Sequence, residues 1–79
     1  MNYIRINRKN LNLTQGDLVS LINYNLSEIG NLYRLSQSRL SYLERLDERE
    51  LLSKLNVLEY KQLKTVFKEL EKVKHILVD

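Results

Sequence analysis

An all-α fold is predicted by three observations. Proline is absent and glycine occurs only at Gly16 and Gly30, the helix formers leucine, lysine and glutamate are plentiful, and apolar residues recur at helical spacing through the last third of the chain. The 79 residues suit a single domain of five or six helices, residues 1–79, near the size at which one core stands without disulfide, metal or partner subunit. Dimerisation is therefore expected.

The first helix is expected over Tyr3–Asn10, with Ile4 inward and Arg5, Arg8 and Lys9 on its polar side, and Asn10 and Asn12 suit its end. Thr14 is a good N-cap, because its hydroxyl can accept an otherwise unpaired N–H in the next helix, which runs from Gln15 to about Tyr24 on the spacing of Leu18, Leu21 and Ile22. Residues 25–35 carry Leu26, Ile29, Leu32, Tyr33 and Leu35 and predict a short extra helix capped by Ser27. Ser36 caps the next one, in which Leu40, Leu43 and Leu46 face the core while Gln37, Ser38, Arg39, Ser41 and Tyr42 lie outward or toward its N-terminus.

Asp47, Glu48 and Glu50 favour a helix start, since carboxylates are stabilised beside a helix N-terminus; that helix covers about 48–55, and Asn56 ends it. From about 58 to 77, Leu63, Val66, Phe67, Leu70, Val73, Ile76 and Leu77 keep one apolar stripe among lysines and glutamates. Twenty residues span about 30 Å, more than a small core requires, so the stripe either closes the chain's own core or forms a homodimer interface, with Leu63, Val66, Phe67, Leu70, Val73 and Leu77 as candidate dimer contacts.

Function classes narrow quickly. Cysteine is absent and His75 is the only histidine, so no thiol nucleophile or common zinc pattern is available, and no catalytic residue, metal site or cofactor is expected. His75 reads as a cation near a helix C-terminus. Of the tyrosines at 3, 24, 33, 42 and 60, only Tyr42 is a functional candidate; the others read as half-buried packing groups. A polar N-terminus and the lack of a long apolar run suggest a cytoplasmic protein with no membrane partner. Six basic and three acidic residues precede Leu46, against seven of each after Arg45, so the formal charge of +3 arises in the N-terminal part.

Arg8, Leu13-Thr14-Gln15, Leu18, Ser36-Gln37-Ser38, Leu40 and Leu43-Glu44-Arg45 together resemble the Cro/repressor-type, or XRE, helix-turn-helix family. The resemblance covers about half the chain. It implies a repressor-like domain that binds double-stranded operator DNA as a homodimer and regulates transcription, a role that would suit a phage or mobile element. In that reading Thr14 caps the first helix of the motif and Gln15 holds a phosphate. Gln37, Ser38 and Tyr42 face base edges, Arg39 and Ser41 lie close to bases or phosphates, and Arg8 and Glu44 form a structural ion pair. Two departures stand out: some eleven extra residues separate the two halves of the motif, and Asp47, Glu48 and Glu50 occupy what would be a phosphate-contacting loop. A second parse places the first helix and turn of the motif within residues 25–36, keeping the same recognition helix. A protein-binding adaptor or inhibitor, acting through the last helix or the insertion, is the alternative function, and an RNA-binding module is a third.

Overall fold

A computed structural model describes residues 1–78, with side chains through Ile76, as five helices and no strand among the described residues: α1 (Tyr3–Asn10), α2 (Gln15–Glu28), α3 (Gln37–Glu44), α4 (Glu48–Lys54) and α5 (Val57–Val78). α5 is about 33 Å long at 1.5 Å per residue. α2 packs on both α3 and α5, α1 touches the same two helices, and α4 follows against α3. Ile4, Leu18, Ile22, Leu26, Leu40, Leu43, Leu51, Leu63, Val66 and Phe67 form the core where these faces meet, with Leu35 joining them from a loop.

Each start and stop has a local cause. The Asn2 side chain accepts the Arg5 N–H and caps α1. At the other end Asn12 adopts φ +58°, its N–H donates to the Lys9 carbonyl, and the Leu13 N–H donates to the Arg8 carbonyl. That is the left-handed Schellman stop that asparagine tolerates better than most residues. Thr14 and Asp17 form a reciprocal capping box at α2, with bonds of 3.0 and 2.9 Å.

The extra helix expected within residues 25–35 does not form, and Ser27 is not a cap. Leu26 continues the buried row of Leu18 and Ile22 at intervals of four, so α2 runs on to Glu28 instead of ending near Tyr24. It stops at Gly30, which takes φ +72°; the Gly30 N–H donates to Ser27 and the Asn31 N–H to Leu26. No separate helix begins at Asn25, so the second parse loses its first helix.

Residues 29–36 then form an extended connection tied down in its second half. Asn23 Nδ2 donates to the Leu35 carbonyl at 2.9 Å while Asn23 Oδ1 accepts the Leu35 N–H at 2.7 Å, so one side-chain amide does the work of a paired strand. Asn56 is also placed differently from expectation. α4 ends at Lys54, and Asn56 opens α5 by a reciprocal box in which Asn56 Oδ1 accepts the Glu59 N–H at 2.7 Å and Glu59 Oε1 accepts the Asn56 N–H at 3.0 Å.

Leu63, Val66 and Phe67 lie in the chain's own core, covered by α1 and α2, and Leu70 packs on its edge. The side chains of Leu63, Val66 and Phe67 are thus taken up within the chain, and Leu70 is partly so. Of the other dimer candidates Val73 is exposed, and the side chain of Leu77 lies outside the described residues. Tyr24, expected to be half-buried, is largely exposed, whereas Tyr3 meets Phe67 edge-on with ring centroids 5.7 Å apart.

Candidate nucleic-acid interface

α3 is held from three sides. The Arg8 guanidinium from α1 grips Glu44 with two bonds, Nε to Oε2 at 2.6 Å and Nη2 to Oε1 at 2.9 Å, and spends Nη1 on the Leu13 carbonyl at 2.8 Å. The two side chains are 11 % and 3 % exposed, which makes this a buried pair. The hydrogen bond to Glu44 raises the Arg8 pKa above its ordinary value, against the opposing effect of burial. Gln15 Nε2 adds a third donor to Glu44 at 3.2 Å. The Gln15 amide is therefore turned toward α3 and the ion pair.

At the C-terminal end of α3, Asn2 Nδ2 donates to the Leu43 carbonyl at 2.6 Å and the Leu46 carbonyl at 2.9 Å. One fully buried asparagine thus caps the start of α1 and the end of α3 together. The third anchor is Glu59, buried at the first turn of α5. It receives Arg39 Nε at 2.9 Å, Arg39 Nη2 at 3.0 Å and the Tyr33 hydroxyl at 2.7 Å, while Arg39 Nη2 also reaches the Lys54 carbonyl at 2.9 Å. Burial pushes the Glu59 carboxyl up most strongly of any single influence, but Arg39, the Asn56 N–H and Tyr33 together hold it below the usual range. Burial, then Glu59, raises Tyr33.

Arg39, a sequence candidate for contacts to bases or phosphates, is accordingly engaged at the α3, α4 and α5 junction, with Cζ 5.7 Å from the centre of the Tyr42 ring. Thr14 is occupied in the α2 capping box, and hydrogen bonding to Thr14 lowers the Asp17 pKa, which keeps a carboxylate at that helix start. Gln37, Ser38 and Tyr42 remain on the exposed side of α3, with Ser41 half-exposed beside them. Ser36 Oγ caps the helix by accepting the Arg39 N–H at 3.0 Å and lies 3.3 Å from Ser38 Oγ; Arg45 Nη1 donates to Ser41 Oγ at 3.0 Å.

The outer side of residues 29–46 therefore carries hydroxyls, the Gln37 amide and arginines, together with the exposed apolar side chains of Ile29 and Leu32. Glu44 is the only carboxylate in that stretch, and it is buried against Arg8. Asn2, Asn23 and Glu59 were not among the sequence candidates. Asn56-Val57-Leu58-Glu59 carries the spacing of a capping box and could have exposed Glu59, whereas the roles of Asn2 and Asn23 depend on partners 41, 44 and 12 residues away.

Among the described residues there is no group of acidic residues and histidine able to hold a metal, and no helix is long and apolar enough to cross a membrane. Compared with protein-family models, curated proteins and solved structures, the chain shows no significant match.

Proposed function

We propose that the chain is a sequence-specific DNA-binding regulator that presents α3 to the major groove. The observation that carries this reading is the outer face of residues 29–46, which offers Gln37, Ser38, Ser41 and Tyr42 as hydrogen-bonding groups, carries arginines, and exposes no carboxylate to repel phosphate. The three anchors on Glu44, Arg39 and the α3 C-terminus support it, because base readout needs a helix held in one orientation. Gln37 is the leading base reader, since a glutamine amide can satisfy adenine N6 and N7 together. Arg39 acts through the fold, by holding α3 on α5. Thr14 and Gln15 set the start of α2, where the Asp17 carboxylate completes the cap and the Gln15 amide serves Glu44, so no phosphate contact is assigned to them.

Selection from a random duplex pool at stated salt tests the proposal. An enriched motif that is lost with Gln37→Ala at unchanged melting temperature supports it, and a pool that stays random rejects it. A symmetric motif with half-sites about 34 Å apart would support the dimeric form of the reading, in which two copies occupy one operator.

A second reading is favoured by one feature. Leu52 and Val57, each 71 % exposed, line adjoining depressions of about 260 Å³ between α4 and α5 with Leu55 and Tyr60. Exposed apolar groups gathered beside a groove suit a protein partner. Leu52→Asp would then remove partner binding and leave DNA selection intact.

A further inference from the structure

We propose that the enlarged connection before α3 is itself a DNA contact, in which Arg34 binds a backbone phosphate at one end of α3 while Arg45 binds one at the other. This rests on the DNA reading above and adds residues that the helix alone does not supply. The extended segment alternates: Tyr33 and Leu35 turn inward, to Glu59 and to the core, so Leu32, Arg34 and Ser36 turn outward. Leu32 is 94 % exposed, and the Ser36 hydroxyl meets that of Ser38 on the outer side of α3. Arg34 therefore extends the same surface, two residues before the helix cap.

Its guanidinium is already partly fixed. Nη1 donates to the Asn31 carbonyl at 2.6 Å and the Tyr33 carbonyl at 2.7 Å, leaving the Nε and Nη2 hydrogens for an outside acceptor. The loop beneath it is anchored by Asn23 on Leu35 and by Tyr33 on Glu59, so little order has to be gained on binding. Arg45 sits on the outer face at the far end, bonded to Ser41. Arg34 and Arg45 thus stand just beyond the two ends of α3, on its outer side.

Phosphate contact is independent of sequence, so a fluorescein-labelled B-form duplex of mixed sequence is the probe, titrated by anisotropy at stepped potassium chloride. Wild type should weaken linearly with the logarithm of salt. Arg34→Ala should bind roughly tenfold more weakly at low salt and lower the slope by about 1, with Arg45→Ala doing the same. Arg34→Lys should keep the wild-type slope, since the charge remains. Arg49→Ala is the control, because Arg49 lies between Glu48 and Glu50 at the start of α4, and should leave the slope unchanged. An Arg34→Ala slope equal to wild type overturns the proposal, and so does loss of the slope in Arg34→Lys as well, which would make Arg34 a support of loop shape. If wild type forms no complex at the lowest salt, the DNA reading itself falls, a result distinct from either of these.

Discussion

Arg8 and Glu44 are buried deeply enough that removing one leaves the other without its partner. Arg8→Ala strands a carboxylate with only Gln15 beside it and should cost about 3 to 5 kcal/mol, whereas an exposed pair would cost about 1 or less. Urea melts of Arg8→Ala, Glu44→Ala and the double variant test this; strongly non-additive losses are expected, and small additive ones would reject a coupled pair. Glu59 makes a prediction in pH. Its carboxyl titrates lower in the fold than the roughly 4.3 of an unfolded chain, so its stabilisation is complete above that value and is lost as pH falls through the lowered folded pKa. Glu59→Gln should therefore melt at lower temperature near neutrality, while its melting temperature falls less than that of wild type below about pH 4.

Helix ends decide how the α2 and α3 pair is spaced. Gly30 sits at φ +72° with no atom within 4 Å of where a Cβ would stand, so Gly30→Ala should cost about 1 kcal/mol from backbone conformation alone. Asn12→Gly, at φ +58° on the matching stop of α1, should be neutral or slightly stabilising, and paired thermal melts would show the loss for Gly30→Ala alone. These ends also mark how far the sequence could be read. Thr14 and Ser36 were legible as caps because a cap is a local hydrogen bond, and the amphipathic stripe made α5 legible because its period depends on the helix alone. Residues 25–35 were not, because their apolar residues serve two purposes: Leu26 continues α2 while Tyr33 and Leu35 alternate inward from an extended loop. What fixes that loop is Asn23 and Glu59, 12 and 26 residues from their partners in it. The same limit applies to the site: the composition of α3 pointed to Gln37 and Ser38, but that Arg39 is taken up by Glu59 depends on where α5 begins.

At the scale of the molecule, the apolar stripe of α5 divides into a buried first half and an exposed second half. Leu63, Val66 and Phe67 are covered by α1 and α2, and Tyr3 closes edge-on over Phe67, so the first half of the stripe is used in the chain's own core, while Val73 and Ile76 beyond it are exposed. A small domain has few such residues, and each carries a large share of a net stability of roughly 5 to 15 kcal/mol. Phe67→Ala should therefore cost about 3 to 5 kcal/mol, enough to unfold much of the population at moderate temperature. The decisive readout is concentration. If Phe67 stabilises the monomer alone, wild type and variant should differ by the same free energy at low and high micromolar protein. A difference that grows with protein concentration would mean that the residue is shared with a second copy, because association couples stability to concentration by mass action.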